Sequence, residues 1–343
     1  MLNRFIIRYA ALPLLSGLLV LSCAAAVQAQ TKIRLTLDWR FEGPAVVALL
    51  PLAKGYFTQE GLDVTVDTGT GSASAVQRIA TGSYDLGFAD VTALAEYLAN
   101  NPGAPRIQAI YMFMEQSPPA VFALAKSGIK TPKDLVGKSI AAPVFDLGRK
   151  AWPMFAQANG MDASKVTWKT VDPSLRETLL ARGEVDAITG FHYTSLLNLL
   201  ARGVREEDIV SMRFMDHGVA LYGNAVIASP KLMAEQPRAI TGFLRAFNRG
   251  LKEVIANPEA SMRYLKERDA LADEKLELRR LKLFIDGFVA TPEAKRSGLG
   301  AINKVRLETS IEQAARAFGL KNAVNTDSLF NSSFLPSAAE RRF

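Results

Sequence analysis

Apolar and polar residues alternate through Ile33, Leu35, Leu37 and Trp39, a period of two that predicts a first strand. The apolar run after Pro44 reaches Leu52 and stops at Gly55. It predicts a helix with Pro44 in its first turn and with Pro51 placed to kink it or end it early. Alternation returns at Leu62, Val64 and Val66, a second strand. Ser72 is placed to cap the next helix, which Gly82 stops, and Tyr84 to Ala89 predicts a third strand ending at Asp90. Arg106 to Phe113 predicts a fourth. Strand, helix, strand, helix, strand is the order of right-handed crossovers and predicts a parallel sheet.

The pattern restarts after Ser117-Pro118-Pro119, a stiff extended link of the kind that joins lobes. Ala120 to Ala125 predicts a strand, and Thr131-Pro132-Lys133-Asp134 a helix start with its cap, its N1 proline and an acid at N3. Then come a strand at Ser139 to Ala142, a helix from about Arg149 to Ala158 and a strand at Val166 to Val171. Ser174 and Glu177 have the spacing of a capping box for a helix ending at Gly183, before a strand at Val185 to Thr189. Val219 to Ala228 reads as one long strand. After Pro230 the period is helical, from Pro237 towards Leu265, from Asp273 to Phe288 and from Lys304 to Phe318. The Ser- and Asn-rich stretch from Asn325 reads as an ordered extension or a frayed end.

Composition adds a compartment. The first 29 residues hold Arg4 and Arg8, no acid, an apolar run from Leu12 to Leu21 and the small-residue site Val27-Gln28-Ala29, the pattern of a cleavable signal peptide. That run is too short for a stable span. Cys23, the one cysteine, lies inside this leader. A lipoprotein reading of Val20-Leu21-Ser22-Cys23 puts bulky Leu21 where a small residue is preferred, so cleavage after Ala29 is the expectation. Removing the first 29 of 343 residues leaves 314 without a cysteine, and so without a disulfide, a thiol nucleophile or a cysteine metal site. Such a length fits two lobes of about 100–200 residues. The net charge of +7 becomes +5 without Arg4 and Arg8 and is spread along the chain, which is no nucleic-acid footprint.

Several short motifs share one order and spacing: Trp39, Lys54-Gly55-Tyr56-Phe57, Glu60-Gly61-Leu62-Asp63-Val64, Gly82 with Asp85, Asp134-Leu135-Val136-Gly137-Lys138, and Gly183-Glu184-Val185-Asp186-Ala187. In these the chain resembles the periplasmic solute-binding proteins of ABC importers, in the family that takes nitrate, sulfonates, taurine and thiamine pyrimidine precursors. The resemblance runs from about Lys32 to Pro230. It implies an α/β fold of the type II, two-lobed binding-protein kind, each lobe an α/β sheet, with a helical C-terminal part and two crossing strands that let the lobes close on a ligand. The division it implies is a signal peptide at 1–29, a first lobe at 30–116 and 222–343, and a second lobe at 117–221. It further implies a periplasmic monomer without cofactor or metal, whose partners are a small-molecule solute, an ABC permease and, through it, an ATPase. Gly55, Gly61, Gly82 and Gly137 read as turn glycines and Tyr56 and Phe57 as core, so the motifs mark the family and not the ligand.

Ligands of open sheets bind beyond the carboxyl ends of strands, which selects the residues just past each one. Trp39, Phe41, Phe145 and Phe191 are placed to sandwich a planar or apolar body, each being equally readable as core. Ser72, after Gly69 and Gly71, offers an anion seat at a helix start or a plain cap. Glu42, Asp90 and Asp146 are candidate acceptors for ligand N–H groups, Arg149 a candidate partner for a carboxylate or sulfonate, and His192 a pH-responsive donor. Tyr222 and Asn224 lie near the return crossing. This mixture favours an aromatic or heteroaromatic solute with an amine or carboxylate over a bare inorganic anion. Arg40-Phe41-Glu42-Gly43-Pro44 stands where pyrimidine-precursor binders carry an Asn-rich loop, which argues against thiamine precursors.

Two other classes compete. A periplasmic enzyme on the same fold, such as a pyrimidine-precursor-type enzyme, would need a nucleophile beside a base or that branch's cysteine-rich motif, and neither pattern is present. A transcription regulator would need a DNA-binding helix-turn-helix where the leader stands. Capture of a solute for import is the leading expectation.

Overall fold

The computed structural model describes residues 30–322 and 324–343. The leader, with Cys23 and the expected cleavage site, lies outside them. The described strands are β1 (Thr31–Thr36), β2 (Leu62–Asp67), β3 (Leu86–Asp90), β4 (Gln108–Met112), β5 (Pro119–Leu124), β6 (Ser139–Ala142), β7 (Thr167–Thr170), β8 (Ala187–Phe191), β9 (Ile209–Arg213) and β10 (Asn224–Ala228). They form two five-stranded sheets, ordered β2-β1-β3-β10-β4 and β7-β6-β8-β5-β9, which are the cores of the first and second lobes.

β1 is parallel to β2 and β3, as the strand–helix–strand order predicts. The sheet as a whole is mixed, however, because β10 enters antiparallel between β3 and β4. The chain returns from the second lobe running the other way and takes the place beside β3 that a further parallel strand would have taken. The second sheet is mixed too, with β5 antiparallel to both β8 and β9. The expected strand from Val219 is shortened to Asn224–Ala228, since its first residues belong to the crossing. There the two connecting segments pair, with Ser117 N–H donating to Leu221 O at 2.9 Å and Gly223 N–H to Met114 O at 3.1 Å.

Prolines and caps decide the helix ends. Pro153 divides the expected helix after β6 into Leu147–Lys150 and Trp152–Ala158, taking a first-turn position where its missing N–H costs nothing. Asn257-Pro258 likewise breaks the long C-terminal segment into Pro237–Ala256 and Pro258–Lys266, with the Asn257 side chain capping Ala260 N–H. Lys304–Phe318 forms as its period predicts. The capping box at Thr131 and Asp134 is present but closes only a 3-10 turn. The box expected at Ser174 is absent: its hydroxyl donates to Asp172 Oδ1 at 2.5 Å, and Glu177 turns inward. The family glycines Gly55, Gly61, Gly82 and Gly137 all have φ between 67° and 80°, the left-handed region that side chains disfavour. Phe57 stacks on Phe243 at 4.9 Å between ring centres, so the C-terminal helices are built into the first core. The tail is also docked there, Asn331 N–H donating to Ala109 O at 2.8 Å.

Candidate functional site

A cleft lies between the two sheets, at the strand ends that face each other. Its first-lobe wall starts where β1 ends. Gly69 and Gly71 donate backbone N–H groups to Trp39 O at 2.9 Å and Asp38 O at 2.7 Å, tying the loop after β2 to the loop after β1. Gly71, with φ of 130°, takes the cap position before the helix Ser72–Ala80. Ser72 is therefore the first helical residue and not the cap, and its hydroxyl accepts from Asp90 N–H at 3.0 Å, joining the loop after β3 to the same wall. Asp90 caps the helix Val91–Asn100 through Thr92 N–H at 2.8 Å and also accepts from the Thr92 and Ser117 hydroxyls. Asn224, opening β10, donates from Nδ2 to Asp38 Oδ2 at 2.7 Å.

Electrostatics mark this wall. Burial lifts Asp38 to about 6 against the hydrogen bond from Asn224, and lifts Asp90 to about 6 against those from Thr92 and Ser117. Asp38 and Asp90 have no cationic partner among the described ion pairs.

The second-lobe wall is built around a buried guanidinium. Arg176 donates to Glu177 Oε1 at 2.7 Å, to Ser195 Oγ at 3.0 Å and to Asp146 Oδ2 at 3.2 Å. Burial opposes its charge, but Glu177 and Asp146 outweigh that and its pKa rises. Asp146 caps the helix Leu147–Lys150 and accepts from the Thr189 hydroxyl at 2.6 Å. Gly190 makes room for this cluster, since a Cβ there would stand 2.7 Å from Arg176 Cζ and overlap the Ser195 hydroxyl. Phe145 leans across the cleft onto Gly71, whose imagined Cβ would lie 3.2 Å from the ring.

Two further groups join the walls. Arg280, only 2% exposed, donates to Glu277, to Tyr193 O and Thr194 O and to Asn198 Oδ1, and its Nη1 stands 3.4 Å from Glu42 Oε2. Glu42 in turn accepts from Trp39 Nε1 at 3.3 Å. Burial lifts the Glu42 pKa and Arg280 pulls against it. Across the cleft, Lys150 of the second lobe meets Glu96 of the first at 2.5 Å.

Of the residues singled out above, Trp39, Glu42, Ser72, Asp90, Phe145, Asp146, Phe191 and Asn224 all line this cleft. Four others lie elsewhere. Phe41 packs against the first core. Tyr222 is fully buried, its hydroxyl accepting from Asn303 N–H at 2.8 Å beneath the Arg306 guanidinium. His192 sits between Phe122 and Phe288, and burial, helped by Arg213, lowers it to about 4, so it stays neutral and offers no switch near neutral pH. Arg149 is spent on Ala142 O and Thr170 and on stacking over Trp168. Sequence reasoning passed over Arg176, Lys150, Glu96 and Phe318, which also line the cleft. Arg176 was hidden behind the false capping box, and Phe318 ends a helix with no motif.

Residues 46–261 match the family model described as NMT1/THI5 like. The chain belongs to this family. The riboflavin-binding protein RibY of Chloroflexus aurantiacus is 26% identical to it over 295 residues, 84% of this chain and 81% of that one. A protein named 4-amino-5-hydroxymethyl-2-methylpyrimidine phosphate synthase, from Legionella pneumophila, is 22% identical over 69% of this chain and 73% of its own. The fold is that of the alkanesulfonate-binding protein SsuA from Xanthomonas axonopodis pv. citri bound to MOPS, with a TM-score of 0.65 at 15% identity over 84% of this chain and 92% of that one. The NMT1/THI5-like chain thus has the fold of the solute-binding proteins of ABC importers. Among its described residues no group of three or more His, Cys, Asp or Glu side chains is arranged to hold a metal ion.

Proposed function

We propose that the protein is the extracytoplasmic solute-binding subunit of an ABC importer, which closes two lobes on a small planar aromatic or heteroaromatic solute and delivers it to a membrane permease. The observation that carries this reading is that aromatic side chains from both lobes, Trp39 from the first and Phe145 and Phe191 from the second, line one cleft together with a few polar side chains. Such a cleft offers apolar faces to a ring and few, fixed polar groups to its edge. In this reading Glu42, Ser72, Asp90, Asp146 and Asn224 supply the polar contacts. The periplasm is the working compartment, reached by cleavage after Ala29, with lipid attachment at Cys23 as the alternative. Native mass spectrometry of the protein purified from its own cells tests the reading, an aromatic solute being expected as the co-purifying mass. X-ray scattering with that solute should show a smaller radius on binding, and an unchanged radius at saturation would refute closure.

The synthase name carried by two of the relatives favours a second reading, an enzyme on the same fold. It predicts that the solute leaves chemically altered. Recovery of an unchanged solute after repeated release supports capture.

A further inference from the structure

We infer that the second lobe swings on the helix Glu274–Phe284, and that the cleft opens at the far end of the helix Lys304–Phe318, where Phe318, Lys150 and Glu96 form its latch. This rests on the capture reading and assigns the contacts that closure makes and breaks.

Both of these C-terminal helices touch both lobes, but unequally. The helix Glu274–Phe284 is wedged between them: Leu281 and Phe284 belong to the first core, while Leu276 and Leu283 pack against the second. From it Arg280 donates to Tyr193 O, Thr194 O and Asn198 Oδ1 of the second lobe at 3.1, 3.0 and 3.1 Å. Arg279 pairs with Glu206 of that lobe at 2.5 Å. Parting here would expose apolar side chains and break three hydrogen bonds around a guanidinium that is 2% exposed.

The helix Lys304–Phe318 is fixed at its start and lightly held at its end. Arg306 donates to Glu115 O at 2.8 Å, pairs with the Glu115 carboxylate and lies 4.3 Å from the centre of the Tyr222 ring, so one side chain holds both crossing segments. Ser310 Oγ accepts from Tyr222 N–H at 3.3 Å, and Leu307 and Ile311 are built into the first lobe. Phe318 comes about 18 Å further along, at 1.5 Å per residue. It is partly buried, packs against the second-lobe core and lines the cleft. Lys150 Nζ stands 6.0 Å from the centre of that ring and pairs with Glu96, both side chains being 24% exposed. Water reaches this pair and replaces it at little cost. The lobes therefore part at Phe318, with the crossing and the Arg280 network as the pivot.

Spin-label distances test this in a chain whose one native cysteine is removed by Cys23→Ser. Glu312→Cys with Gln157→Cys spans the latch, and Lys275→Cys with Ala201→Cys spans the pivot; all four positions are exposed. Each pair is read by double electron–electron resonance in protein as purified and in protein stripped of solute by unfolding in urea, dialysis and refolding. Stripped protein should show a second, longer distance across the latch and one unchanged distance across the pivot. Glu96→Gln and Phe318→Ala should each raise the ratio of long to short latch distances roughly twofold or more; the comparison of the two pairs does not depend on either variant folding. A longer distance across the pivot, no second distance across the latch where the scattering radius does change, or a latch population that neither variant alters, overturns the assignment and leaves capture standing. One unchanged distance at both pairs in every sample, together with a scattering radius that does not respond to the co-purified solute, overturns closure and the assignment together.

Discussion

Replacing Arg280 with methionine should cost about 3–5 kcal/mol of folding stability at pH 8, the range expected when one partner is removed from a buried charged network. Methionine keeps most of the aliphatic stem, so the loss reports on the guanidinium and not on a cavity. In the wild type this group bonds both Glu277 oxygens, at 2.9 and 3.0 Å, two backbone carbonyls at 3.0 and 3.1 Å and Asn198 at 3.1 Å. Without it, Glu277 still accepts from Gly43 N–H at 2.6 Å, but Glu42 keeps only the Trp39 indole. The sign of the pH dependence follows. Burial already lifts Glu42 in the wild type, and Arg280 opposes the lift. Removing Arg280 raises Glu42 further, so the folded variant binds a proton more tightly than the unfolded chain does. The variant then gains stability as pH falls from that raised value towards the ordinary carboxylate range. Urea unfolding of both proteins at about pH 8 and about pH 5.5 measures this, and the deficit should narrow at the lower pH. A deficit below about 1 kcal/mol at pH 8 would refute the reasoning, because that is the scale of a solvent-screened pair. A deficit that does not change with pH would show that lost packing, and not stranded charge, carries the effect.

Trp39→Ala should weaken solute binding by about 1–3 kcal/mol with little loss of apo stability, since the ring is half-buried in the cleft wall; a loss of about 3–5 kcal/mol in unfolding with unchanged affinity would instead place it in the core. Gly190→Ala pushes a methyl group into Arg176 and Ser195 and should destabilise the protein by about 1–3 kcal/mol in chemical denaturation, a neutral result showing that the cluster can shift aside. Asp38 is lifted to about 6, so its charge works against folding above that pH and the penalty disappears as pH falls towards 4. The stability of Asp38→Asn relative to wild type should therefore fall by about 1–3 kcal/mol from pH 7.5 to pH 4.5, and parallel pH profiles for the two proteins would show that Asp38 titrates normally.

What was legible in the chain follows from how local each feature is. Alternation in Leu62 to Val66 and the helical period from Lys304 to Phe318 depend on neighbours a few residues away, and both formed as read. Prolines were legible only in part: Pro51 was expected to kink its helix or end it early, yet the helix continues through it to Ala53, while Pro153 and Pro258 divided segments that their periodicity had joined. The position of β10 was not legible. Nothing in Asn224-Ala225-Val226-Ile227-Ala228 says that it runs antiparallel between β3 and β4, because that depends on a crossing made by residues more than a hundred positions earlier. The rule that ligands lie past strand ends found eight cleft residues. It also chose Phe41 and His192, since a position just after a strand does not say which way its side chain points.

The polar residues of the cleft show why site chemistry is harder to read than site position. Asp38 and Asn224 are 186 residues apart, and each is unremarkable in its own segment; only their bond makes one amide oxygen an orphan. Arg280 and Glu42 came from a C-terminal helix and from the loop after β1, and their pairing couples Trp39 to the start of the helix His192–Leu200. Counting acids and bases along the chain could suggest either an anion site or a cation site. In the folded protein Lys150, Arg176 and Arg280 are each matched by a carboxylate, and the acids left over, Asp38 and Asp90, stand on the wall where Asn224 has an oxygen to spare. Selectivity in such a cleft is set by which charges the fold has already neutralised, a property of pairs that composition alone does not contain.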